Sequence, residues 1–112
     1  MKLLIALNNN NGVYSKLSEH FGHCLYFVVY ETDTKDLKFV ENIIDHSNAS
    51  LTPVDQIMKF NPDAVFSLGI GKRAISLFAD KNISIKTGKF KTLKEVLENV
   101  DTLENLSEGC DH

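Results

Sequence analysis

The sequence predicts a single α/β domain in which a mixed five-stranded sheet carries helices on both faces. Strand-like and helix-like segments alternate along the chain, the helical segments each carry an apolar stripe, and two strands have no polar face. A length of 112 residues is enough for one packed core but too short for two. We therefore treat residues 1–112 as one domain and expect residues 104–112 to form a flexible tail.

The first half of the chain predicts three strands. Residues 2–7 are apolar after Lys2, which is typical of a strand covered on both faces. Residues 25–31 place apolar and aromatic side chains on both faces, which also indicates a central strand. Residues 37–44 intersperse lysine and glutamate, as an outer strand does, and the turn-forming residues 32–36 join them to the second strand as a hairpin.

The second half alternates helices with buried strands. Residues 52–55, Thr-Pro-Val-Asp, are typical of a helix start, and residues 92–95, Thr-Leu-Lys-Glu, predict a capping box for the last helix. Residues 64–68 and 83–85 are short apolar strands, and residues 72–79 carry the stripe of an amphipathic helix between them.

Right-handed crossovers fix how these strands assemble. They make the first, fourth and fifth strands parallel neighbours, and the hairpin adds on the other side, which gives the order 3-2-1-4-5. Ligands of open α/β sheets bind beyond the carboxyl ends of the strands, where the order reverses. The loops 8–24 and 67–72 lie at that position, so we expect the binding site between them.

A turn in the first of these loops carries soft metal ligands. His20, His23 and Cys24 follow one another within five residues, directly before the second strand. Imidazole and thiolate suit zinc, copper and iron–sulfur chemistry, so the spacing predicts a metal site. The alternative is that His20 hydrogen-bonds a neighbouring backbone group and Cys24 is a small buried residue at the end of the strand.

Three further soft ligands also fall outside every predicted element. Cys110 and His112 in the tail could add two donors to the same metal, although chain ends are often solvated and disordered. His46 lies between the third strand and the first helix, and the pattern assigns it no role.

The second loop has the features of an anion site. Gly69 and Gly71 open a helix, whose first amides and positive dipole end attract negative charge. Seven of the twelve basic residues fall between Lys72 and Lys94, including Arg73, and would add an attractive field. A tight strand-to-helix turn and ordinary solvated lysines are the structural alternatives.

Composition and motifs exclude several classes of function. A net charge of −3 gives nucleic acid no broad attraction, and no apolar run approaches the roughly 20 residues of a membrane span. The short apolar start resembles a buried strand more than a signal peptide, so we expect a cytoplasmic protein with reduced thiols. Residues 3–7 offer no carboxylate for a magnesium nuclease, and a Cys24–His20 nucleophile pair lacks an orienting third residue. We therefore predict no enzymatic activity.

Residues 18–27 read Ser-x-His-Phe-Gly-x-Cys-x-x-Phe and resemble the signature of the dinitrogenase iron–molybdenum cofactor-binding family. The resemblance extends over nearly the whole chain, including residues 69–74 and 92–95. It implies a ribonuclease H-like sheet and a role in binding or delivering anionic metal–sulfur clusters, with His20 as the favoured ligand. The cofactor-binding residues that we expect from it are Ser18, His20, Phe21, Gly22, Gly69, Gly71, Lys72 and Arg73.

The sequence therefore predicts a non-enzymatic carrier of an iron–molybdenum-type or related metal–sulfur cluster, which a donor or acceptor protein would accompany. One alternative is a simple transition-metal-ion binding protein, and another is a protein-interaction module without metal. The candidate metal ligands are His20, His23, Cys24, Cys110 and His112.

Overall fold

A six-stranded mixed sheet forms the centre of the molecule in the computed structural model, which describes residues 1–106. Three α-helices pack on it. The strands are β1 (Lys2–Leu7), β2 (Tyr26–Glu31), β3 (Asp36–Glu41), β4 (Ala64–Phe66), β5 (Ser84–Thr87) and β6 (Glu104–Asn105). The helices are α1 (Pro53–Ile57), α2 (Lys72–Asp80) and α3 (Leu93–Glu98).

The strand order is β3-β2-β1-β4-β5-β6. β1 pairs antiparallel with β2 and parallel with β4, and β5 extends the parallel part, so the order predicted for the first five strands is confirmed. The expectation of five strands is wrong, because Glu104 and Asn105 add β6 antiparallel to β5. Two exposed polar residues have no apolar alternation from which a strand could be predicted. The ribonuclease H-like class stays a prediction.

The sheet separates two apolar layers. β1 supplies both, since Leu4 and Ala6 face one layer while Leu3, Ile5 and Leu7 face the other. α1 and α2 cover the first layer and α3 covers the second. This explains why the first strand is apolar throughout. Within residues 1–106, none of the helices is long and apolar enough to cross a membrane.

The two predicted helix starts have different outcomes. At α1 the predicted start with its hydroxyl cap is confirmed: the Thr52 hydroxyl accepts from the Asp55 amide, and the Asp55 carboxylate accepts from the Thr52 amide, which together form a capping box. The box at Thr92 is wrong, because the Thr92 side chain accepts no backbone amide of α3. The first amide of α3, that of Leu93, donates to the Ser15 carbonyl at 2.9 Å, so a tertiary contact satisfies one of the amides at the start of this helix.

Candidate functional site

A cleft of about 390 Å³ lies at the carboxyl edge of the sheet, between the two loops that the strand order places there. Its volume is within the range of small-ligand sites. The residues that line the cleft come from three segments. Two are the predicted loops, and the third is the connection from β3 to α1. They are His20, Phe21, Gly22, His23, His46, Pro53, Val54, Gly69, Ile70, Gly71 and Ala74.

Two buried serines shape the facing loops in the same way. The Ser18 hydroxyl donates to the His20 carbonyl at 3.1 Å and accepts from the His20 amide at 3.2 Å. The Ser67 hydroxyl makes the equivalent pair with the carbonyl and amide of Gly69, at 2.6 and 3.3 Å. The Phe21 amide then donates to the Gly69 carbonyl at 3.2 Å and joins the loops. Ser18 is therefore buried behind the site, where it holds the His20 backbone, and it does not line the cleft.

Apolar packing holds the turn formed by residues 18–24, which we call the signature turn. The buried Phe21 ring lies 5.4 Å from the Phe27 ring and 5.6 Å from the Phe78 ring, between centroids. Because Phe27 belongs to β2 and Phe78 to α2, Phe21 ties the turn to both. Gly22 follows at φ +26°, a conformation that side-chain-bearing residues rarely adopt. The Phe-Gly pair thus fixes the turn and directs its flanking residues outward.

Three imidazoles meet at this cleft. His20 and His23 flank the Phe21-Gly22 pair, and both are exposed at the surface of the cleft. His46 joins them from the loop after β3, and its ring stacks on His23 with centroids 4.3 Å apart and planes 7° from parallel. Sequence reasoning left His46 unassigned, since its loop has no periodicity to locate it. The one signal available was its residue type outside the predicted elements.

Cys24 is not brought to the cleft. The side chain is 4% exposed, packs among the apolar residues beneath α1 and α2, and is absent from the lining. Burial raises the pKa of the Cys24 thiol to about 11, despite hydrogen bonds that lower it. Asn42 fixes this conformation, because its side-chain amide donates to the Cys24 carbonyl at 2.7 Å and to the Gly22 carbonyl at 3.0 Å. At neutral pH Cys24 is a protonated thiol inside the core, so we leave it out of the ligand set proposed below.

In the second loop, residues 67–72, fewer backbone amides are available to an anion than the sequence suggested. The amide and carbonyl of Gly69 are both bonded to Ser67, so Gly69 shapes the cleft without presenting its amide to a ligand. Gly71 is the N-cap residue of α2 and lines the cleft, so the positive end of this nine-residue helix lies at the cleft.

The basic residues that were predicted to attract an anion are dispersed over the surface. Lys81 pairs with Asp55 at 3.0 Å, Lys86 donates to Asn105 at 2.6 Å, and Lys94 lies 5.9 Å from the centre of the Tyr14 ring. Lys72 and Arg73 begin α2, and both are exposed. Arg73 lines an adjoining groove of about 430 Å³ that also includes His46 and Gly71.

Cys110 and His112 lie outside the described residues. Within residues 1–106, no group of three or more His, Cys, Asp or Glu side chains is arranged to hold one metal ion. A second cleft of about 350 Å³, between the end of β3 and α1, contains neither an imidazole nor a thiol.

Comparison with known proteins gives a family match over most of the chain. The family model described as dinitrogenase iron-molybdenum cofactor matches residues 1–103. None of the curated proteins matches the chain significantly.

Solved structures share the fold over almost the full length. The crystal structure of PH0822 has 28% identity and a TM-score of 0.73, covering 94% of this chain and 96% of its own. A NifB-like protein from Thermotoga has 18% identity and a TM-score of 0.80, with coverages of 99% and 98%. The apo form of the orange protein from Desulfovibrio gigas has 13% identity and a TM-score of 0.78, with coverages of 95% and 92%.

Proposed function

The chain belongs to the dinitrogenase iron–molybdenum cofactor family, and from this premise we propose that it is a cytoplasmic carrier that binds an anionic metal–sulfur cluster in the cleft. The cluster is its cargo, and the protein passes it between other proteins without chemical turnover. The observation that carries the proposal is that the exposed imidazoles of His20 and His23 converge with the N-terminus of α2 on one cleft.

The chemistry of this cleft suits such a cargo. Imidazole nitrogens bind the metals of a cluster, while amides and the positive end of a helix favour its negative charge and its sulfur atoms. The aromatic and aliphatic walls, Phe21, Val54 and Ile70, keep part of the cleft dry, which strengthens these interactions. Arg73 adds positive charge from the adjoining groove.

A single transition-metal ion is supported less well. Such an ion is usually held by three or four protein donors that converge within about 2.0–2.3 Å of it. Residues 1–106 offer no group of that kind, and Cys24, which would complete one with His20 and His23, is buried. A cluster differs because donors spread around a cleft can each reach a different atom of it.

The test is anaerobic reconstitution with ferrous iron, sulfide and molybdate, followed by desalting and analysis of iron and molybdenum per protein. We expect wild type to retain metal and His20→Ala to lose most of it. Cys24→Ala is the matched control, because it removes a soft ligand that lies outside the cleft, and it should retain metal like wild type. Equal metal content in wild type and His20→Ala would contradict the proposal, and equal loss in Cys24→Ala would return the thiol to the site.

A further inference from the structure

His46 is a third imidazole at the cleft, and a different loop supplies it. Its Nε2 atom lies 2.9 Å from the Gly22 carbonyl oxygen, and its ring stacks on His23. The loop that carries it is held by Gln56, whose side chain bonds both backbone groups of Asp45 at 2.8 Å. The His46 ring is therefore positioned by its own contacts with Gly22 and His23, while Gln56 holds the backbone of the loop beside it.

The hydrogen bond identifies which nitrogen of His46 can bind a metal. A carbonyl oxygen only accepts, so Nε2 carries the proton that it donates to Gly22. In this tautomer Nδ1 holds the lone pair. The His23 ring stacks on His46 but makes no hydrogen bond within residues 1–106, so neither of its nitrogens is occupied by a hydrogen bond to that part of the chain.

Stacking determines what the two rings can bind together. The lone pair of an imidazole lies in the ring plane, and the planes of His23 and His46 are only 7° from parallel. Two parallel planes separated by a ring spacing do not converge on one point, so a single ion cannot lie on both lone pairs at a bond length of about 2.0–2.1 Å. Two neighbouring metal atoms of one cluster, side by side across the stack, can each meet one ring.

We propose, on the basis of the function proposed above, that His23 and His46 are a pair of donors to two neighbouring metal atoms of one polynuclear cluster. The cargo class is then a cluster with several metal atoms, and a mononuclear complex is excluded from this mode of binding. His46 lies outside the Ser-x-His-Phe-Gly signature, so this proposed donor comes from the loop between β3 and α1.

Three variants separate a donor role from a structural one. His46→Phe keeps an aromatic ring that can stack on His23 but removes both nitrogens. His46→Gln keeps a donor for the Gly22 carbonyl but removes the ring. Gln56→Ala loosens the loop and leaves the imidazole intact, so it is the matched control. Circular dichroism establishes that each variant is folded before it is loaded.

Each variant is titrated with two probes: the cluster reconstituted from ferrous iron, sulfide and molybdate, and Zn²⁺ alone. We expect His46→Phe and His46→Gln to lower the affinity for the cluster about tenfold or more, in the range typical of lost metal-site contacts, while Gln56→Ala keeps most of it. Affinity for Zn²⁺ should be unchanged in all three, because the stacked pair cannot share one ion.

The outcomes distinguish this inference from the function on which it rests. Cluster affinity that falls in His20→Ala but not in His46→Phe or His46→Gln overturns the donor pair alone. Equal losses in Gln56→Ala and His46→Phe would make His46 structural, and a parallel loss of Zn²⁺ affinity would show convergence on one ion. No effect of either His20→Ala or His46→Phe contradicts both proposals.

Discussion

The signature turn, residues 18–24, and the β3–α1 loop, residues 42–52, each bring histidine to the same cleft by different forces. The signature turn is attached to the core through the buried Phe21 ring and a glycine in an unusual conformation. The β3–α1 loop is held by polar contacts, in which Gln56 and the capping box of α1 close it on itself. Buried apolar contacts contribute more free energy than exposed hydrogen bonds. The signature turn with His20 and His23 is therefore held firmly, and the loop with His46 is more easily displaced.

The largest expected effect comes from removing the anchor of the signature turn. Phe21→Ala deletes a ring that packs between Phe27 and Phe78, and we expect it to lower the free energy of unfolding by about 3–5 kcal/mol. Urea denaturation followed by circular dichroism measures this. A loss no larger than that of an exposed loop residue would mean that the turn does not depend on the core.

The backbone of the same turn is the next most sensitive feature. Gly22→Ala places a side chain at φ +26°, and we expect a loss of about 1–3 kcal/mol from strain. Gly71→Ala is the matched control, since Gly71 has φ −71° and open space around an added Cβ atom. Its unfolding free energy should fall by less than that of Gly22→Ala, because only the preference of the N-cap position for glycine over alanine is lost and no backbone strain is added. Similar losses in both variants would remove conformation as the reason for glycine at position 22.

The β3–α1 loop should respond less strongly when its end is changed. Thr52→Ala removes the hydroxyl that caps α1, and we expect a loss of about 1 kcal/mol. Thr92→Ala is the comparison, because the Thr92 hydroxyl caps no amide of α3, and it should cost only a few tenths of that. If the two threonine variants lost equal stability, the difference between these caps would have no energetic meaning.

The smallest effect concerns acid titration at the same cap. The Lys81 ammonium, together with hydrogen bonds from Thr52, lowers the pKa of Asp55 from its ordinary 3.8 to about 2. A lowered carboxyl pKa stabilises the folded state above the unfolded value, and this contribution is lost as pH falls through the folded value. The stability difference between wild type and Asp55→Asn should therefore shrink between pH 3.8 and about 2. A difference that is constant over this range would contradict the assignment.

The sheet was more predictable than the site. Apolar runs such as residues 2–7 determine strands and their faces, and crossover handedness then determines the order. β6 escaped prediction because Glu104 and Asn105 are stabilised only by pairing with β5. The capping box at Thr92 failed because the Thr92 hydroxyl donates to the Glu95 carboxylate at 3.4 Å and accepts no amide of α3, an orientation that the Thr-x-x-Glu spacing alone does not reveal.

Within the site, sequence located the loops but not the direction of every side chain. His20 and Cys24 are four residues apart, and spacing made them equal candidates as ligands. One is exposed and the other is buried, because the chain enters β2 at that point and Asn42 fixes the Cys24 backbone. The contribution of His46 depends on a stacking contact between loops, which no local pattern encodes.

The central claim is that the cargo contacts the imidazoles of the signature turn and not its thiol. Footprinting with diethyl pyrocarbonate, read by mass spectrometry, measures it directly on the protein before and after loading with the iron, sulfide and molybdate cluster. We predict that loading protects His20 and His23 from modification, while alkylation of the buried Cys24 is slow in both states. Equal modification of both histidines in loaded and unloaded protein, with protection confined to Cys24, would contradict the account.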